Sequence, residues 1–152
     1  MKKFINSLLA ILVMGCTISA CSEHDGDDVS TPYASNPAQA AAGTYSGQFS
    51  SVQIGTTDTT YAQGTLVLEA TSTYTGNITF TASDLSLSAT SAVNISFDSN
   101  GYTFNNQLTS NGLGTKFAGK VAKGNEATAW FTLSRRVGRT LYEFQYNFKG
   151  TK

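Results

Sequence analysis

The chain has 152 residues, room for one domain, and its ten bases balance its ten acids. Charged residues make up 13% of it, about half the roughly 25% usual for soluble domains. Zero net charge argues against a nucleic-acid partner, whose binding rests on phosphate neutralisation by excess base. Two cysteines and one histidine leave little material for disulfide frameworks, zinc sites or histidine catalysis.

The first twenty residues read as an export signal. Lys2 and Lys3 form a basic start, and Leu8 to Gly15 (LLAILVMG) form an apolar run too short for a comfortable membrane span. The run leads into Ile18-Ser19-Ala20-Cys21. This resembles the lipobox of bacterial lipoproteins: a branched apolar residue, two small residues, then the cysteine that is acylated. Cleavage is expected before Cys21, with lipid on its thiol. Val13-Met14-Gly15-Cys16 is a rival site with a poorer apolar residue. Each buried lipid methylene contributes about 0.8 kcal/mol of membrane affinity. No further cysteine follows Cys21, so the mature chain has no disulfide.

Residues 21–28 carry Glu23, Asp25, Asp27 and Asp28 and no base. An acidic run behind the acylated cysteine resembles the surface-export signal of lipoproteins in Gram-negative commensals. It implies the outer face of the outer membrane; a plain solvated linker, with the protein on the periplasmic face, is the alternative. Residues 22–42 show no apolar periodicity and read as a disordered tether, with one helical turn conceivable over Pro37 to Ala42.

From Gly43 onward the hydrophobic period is two. Tyr45, Gly47 and Phe49 share a face, as do Leu66, Leu68 and Ala70, then Ile78, Phe80 and Ala82. Leu85 and Leu87 follow, then Val93, Ile95 and Phe97, then Tyr102 and Phe104. Phe117, Gly119 and Val121 come next, then Ala127, Ala129, Phe131 and Leu133, and last Tyr142, Phe144, Tyr146 and Phe148. Such alternation predicts antiparallel strands with one buried and one wet face. Turn residues separate the runs: Asn100-Gly101, Asn111-Gly112-Leu113-Gly114, Lys123-Gly124-Asn125 and Arg136-Val137-Gly138. The longest evident gap is Gly55 to Thr60. Eight or nine short strands joined by hairpins predict an all-β, up-and-down antiparallel barrel closed by the first and last strands; a β-sandwich is the alternative.

Gly43-Thr44-Tyr45-x-Gly47 at the start and Phe148-Lys149-Gly150 at the end resemble the calycin-like, lipocalin-like lipoprotein domains of Gram-negative commensals. Tyr45 stands where lipocalins carry tryptophan. The resemblance covers residues 43–152 and implies a barrel fold and, loosely, a binding role.

No catalytic constellation is legible. His24 lies in the tether, and the domain has neither cysteine nor histidine. No metal, cofactor or enzymatic activity is expected. The stripe Tyr142, Phe144, Tyr146 and Phe148 either lines a ligand cavity or fills the barrel core, and small inward residues such as Gly47, Ala82, Gly119 and Ala129 leave room for a cavity. Trp130 is out of phase with Ala129 and Phe131 and so belongs on the outer face. Lys116, Lys120, Lys123, Arg135, Arg136 and Arg139 make one end or side basic, a surface for an anionic partner. The expectation is a monomeric, lipid-anchored protein that binds a small apolar or amphipathic molecule. A loop-based interaction module or inhibitor with a filled core is the alternative.

Cys21→Ser should abolish acylation. Labelled fatty acid is expected in the wild-type chain and not in the variant; equal incorporation would refute the assignment.

Overall fold

The computed structural model describes residues 35–106, 117–122 and 125–152. Cys21, Glu23, Asp25, Asp27, Asp28, Lys116 and Lys123 lie outside these residues. A short helix, α1 (Pro37–Ala41), precedes β1 (Gly43–Gln53), β2 (Thr59–Ala70) and β3 (Thr75–Ala82). A single 3-10 turn, Ser83–Leu85, leads into β4 (Leu87–Asp98) and β5 (Gly101–Asn106). The chain then continues through β6 (Phe117–Ala122), β7 (Glu126–Val137) and β8 (Thr140–Thr151).

The eight strands form one antiparallel sheet in sequence order that closes into a barrel. β1 pairs with β8 from Ser46↔Thr151 to Gln53↔Phe144. Closure satisfies the outer ladder groups of both terminal strands, which would otherwise be open edges. The barrel is thus realised and the sandwich is not.

The alternation predicts most of the inner face correctly. Tyr45, Phe49, Leu66, Leu68, Ile78, Phe80, Val93, Ile95, Phe104, Phe131 and Phe148 are all buried. Two positions depart from it. Phe97 shares the inward phase but is 41% exposed, because it lies at the end of β4 beside the Asp98–Gly101 turn, past the filled part of the barrel. Leu85 is buried from the 3-10 turn, not from a strand.

The connections also differ in detail. Asp98 pairs with Gly101, so Ser99 and Asn100 are the two turn residues, and Asn100 N–H donates to Asp98 Oδ1 at 2.7 Å. Gly101, with φ +134°, opens β5. The longest connection joins β5 to β6 and falls on residues 107–116, not on Gly55 to Thr60.

Rings span the lumen. Phe49 lies 4.7 Å from Phe148 and 6.1 Å from Phe80, centroid to centroid. Phe80 lies 4.5 Å from Phe131, which stacks on Tyr146 at 5.2 Å. Phe80 also meets Phe117 edge-on at 6.0 Å. An eight-strand interior is just wide enough for side chains to fill. The small inward residues accommodate these rings: a Cβ on Gly119 would overlap the Phe104 ring, and one on Gly64 would come within 2.7 Å of Phe49. Here small residues therefore admit large neighbours and do not mark an open cavity.

The two ends of the barrel differ. α1, together with the β2–β3, β4–β5 and β6–β7 connections, stands at one end. Asn36 caps the helix by accepting from Gln39 N–H at 3.1 Å, and Pro37 occupies its first turn. Ala38 and Ala41 are fully buried against the core. The ordered domain therefore takes in residues that composition alone assigned to the tether. Tyr45 reaches the helix end, its hydroxyl donating to the Ala41 carbonyl at 2.5 Å. The C-terminal residue joins the same end: the Lys152 ammonium donates to the Ala42 carbonyl at 2.6 Å.

Tyr45 is fully buried. Burial, and secondarily the nearby Tyr102 phenol, pushes its hydroxyl up from 10.0 to about 12. The folded pKa is the higher one, so stability is whole below pH 10 and is lost as pH rises toward 12, by up to about 3 kcal/mol. Tyr45→Phe is expected to flatten that alkaline loss in urea titrations across this range. At neutral pH it should cost about 1 kcal/mol through the lost hydrogen bond.

Candidate functional site

At the other end, among the described residues, the β1–β2 and β7–β8 connections and the 3-10 turn surround a cleft of about 500 Å3. Its floor is aromatic: Phe144 and Tyr146, whose centroids lie 6.5 Å apart. Its wall and rim are polar: Ser51 and Gln53 from β1, Asp58 and Thr60 from the start of β2, Asp84 and Ser86 from the 3-10 turn, and Arg135 from β7.

The strand phase explains this lining. Ser51 and Gln53 continue the inward phase of Phe49, and Thr60 continues that of Ala62. On β7, Arg135 continues the phase of Phe131 and Leu133. The inner face thus changes from apolar to polar toward the same barrel end on three strands. Ser86 enters the cleft with φ +48°, a left-handed conformation unusual for a side-chain-bearing residue; its N–H donates to the Ser83 carbonyl at 2.8 Å.

The tyrosine and phenylalanine stripe is divided by height. Phe148 and Tyr146 are 2% and 4% exposed and belong to the filled core, although Tyr146 also shows one edge to the cleft. Phe144 is half-buried and forms the cleft floor, and Tyr142 is half-buried toward the β7–β8 turn, opposite Arg135.

The basic residues are divided as well. Arg135 lines the mouth, while Arg136 and Arg139 are exposed at the β7–β8 hairpin. Lys120 lies on the outer wall beside Trp130, in a second groove of about 420 Å3. Among the described residues the bases form no single cluster. Among the described residues no three His, Cys, Asp or Glu side chains are gathered in a way that could hold a metal ion.

Ser51, Gln53, Asp58, Thr60 and Asp84 escape the sequence reading. Their signal was present: polar residues entering the inward phase toward the same barrel end. Only strand direction and register reveal that these ends coincide.

The outer wall is rich in hydroxyl and amide side chains. Thr79 bonds Thr90 at 3.0 Å across β3 and β4, and Ser96 bonds Thr103 at 2.7 Å across β4 and β5. A membrane-spanning barrel presents an apolar band outward; this wall presents the reverse.

No protein-family model matches the chain, and no curated protein sequence matches it. The fold is similar to the crystal structure of a Bacteroides fragilis protein assigned by name to the outer membrane, with a TM-score of 0.54 and 16% identity. The match covers 73% of this chain and 50% of that one, so this chain spans about half the length of that neighbour. At this identity the likeness concerns the fold.

Truncation along the stripe should separate core from mouth. Phe148→Ala is expected to cost about 3–5 kcal/mol of stability. Phe144→Ala should cost clearly less, because its ring is only half-buried. Chemical denaturation of both variants checks the order, and equal losses would show that Phe144 is core.

Proposed function

We propose that the chain is a non-enzymatic, lipid-anchored protein of the outer membrane whose barrel holds a small amphipathic molecule at its open mouth. The observation that carries this reading is the cleft itself: an aromatic floor of Phe144 and Tyr146 beneath a polar and charged rim. Its volume lies within the roughly 300–1,000 Å3 range of small-molecule sites, and two aromatic rings beneath a mostly polar lining suit an amphipathic ligand.

The filled lower lumen moves the ligand from a deep cavity to the mouth. An apolar part would rest on the two rings, and a polar part would meet Arg135, Asp58 or Asp84. The eight-stranded up-and-down barrel with a short helix at one end supports the calycin-like resemblance. The fold neighbour assigned to the outer membrane supports that location. The polar outer wall supports attachment through lipid on Cys21 over insertion of the barrel, and the acidic run from Glu23 to Asp28 supports the cell surface.

Native mass spectrometry of protein purified from its own host tests the reading. A bound molecule lost on denaturation is expected. Uptake of a hydrophobic dye should fall in Phe144→Ala with folding retained. Neither a bound molecule nor dye uptake would remove the mouth as a site.

A further inference from the structure

We infer that the outer wall over β6, β7 and β8 binds an acidic polysaccharide, with one pyranose ring stacked on Trp130 and its carboxylate directed to Lys120. This site is on the opposite side of the sheet from the lumen and does not rest on the mouth.

The first observation is charge. Residues 116–152 carry eight bases against two acids, a net +6, whereas residues 43–115 carry four acids and no base. Among the described residues, Lys120 and Lys149 lie on the outer wall of β6 and β8, and Arg136 and Arg139 are exposed at the β7–β8 hairpin. Bases on one side raise the local concentration of an oppositely charged partner.

The second observation is the groove that Lys120 shares with Trp130. Trp130 is 42% exposed on the outer face. Its cross-strand neighbours are Ala118 on β6 and Asn147 on β8. Alanine on one side leaves the indole uncrowded, and the groove continues past Thr128 to Lys120. Single exposed aromatics are ordinary; here the ring shares a groove with an amide, a hydroxyl and an ammonium.

The third observation is the state of the charges. Glu126, the acid on this stretch of β7, pairs with the Lys149 ammonium at 3.2 Å. Lys149, Thr128 and Lys120 occupy one cross-strand row. With Glu126 turned to Lys149, no described carboxylate lies within ion-pair distance of Lys120.

These groups match an acidic sugar in each part. The C–H face of a pyranose packs on an indole, its hydroxyls suit the Asn147 amide and the Thr128 hydroxyl, and a uronate carboxylate suits Lys120. A neutral sugar would leave the ammonium unused. A simple polyanion would leave the ring unused.

Trp130 is the single tryptophan, so its emission reports this groove alone. The full chain in detergent is titrated with oligogalacturonate, with neutral galacto-oligosaccharide and with polyphosphate. Oligogalacturonate should give a saturable change in emission that weakens with salt, and the other two should give little. By calorimetry, Trp130→Ala and Lys120→Gln should each weaken oligogalacturonate binding at least about tenfold, with thermal melting unchanged because both side chains face outward. No saturable response, an equal response to polyphosphate, or undiminished affinity in either folded variant would overturn the proposal.

Discussion

The pairing of β1 with β8 is the contact on which the other features depend, because it turns a meander with two open edges into a ring. It joins residues about a hundred positions apart: Ser50 and Asn147 face each other across it, and the Asn147 amide reaches the Ser50 hydroxyl at 3.4 Å. Once the ring is closed, the interior volume is set by eight strands, and every inward side chain competes for it. Rings from five different strands occupy the same cross-section, and they fit because glycines stand where a Cβ would collide with them.

Closure also makes the two ends unequal. At one end α1 buries Ala38 and Ala41, and Tyr45 and Lys152 both bond the chain just after or at its last turn. The hydroxyl of Tyr45 is thereby held away from water, the physical source of its raised pKa. At the other end the 3-10 turn stands beside the cleft, and the inner face turns polar at Ser51, Gln53, Thr60 and Arg135. A binding role suits such an arrangement: a packed base carries a short polar mouth.

The outer wall adds a second kind of surface. Hydroxyl pairs cover β3, β4 and β5, while Lys120 stands beside Trp130 over β6 and β7. A wall of this composition is suited to meet water and polar molecules. Mouth and wall are formed by opposite faces of the same strands: on β7, Phe131, Leu133 and Arg135 face in while Trp130 faces out. Period-two alternation lets one strand serve both surfaces.

The strand phases, the barrel class and the outward position of Trp130 were legible in the sequence by itself, because alternation is a local property of neighbouring residues. So was the charge segregation after Lys116, and so was the lipobox-like run into Cys21. The sequence left open whether Tyr142, Phe144, Tyr146 and Phe148 lined a cavity or filled a core. Only the tertiary structure divided them, since burial depends on the height at which β8 meets β1 and β7. It likewise decided that Gly119 makes room for Phe104 and not for a ligand, that Pro37–Ala41 belongs to the domain, and that Ser51, Thr60, Asp84 and Arg135 share one mouth. The mouth residues are far apart along the chain and come together through ring closure, while Gly119 meets Phe104 through the pairing of β5 with β6, a register that alternation by itself does not set.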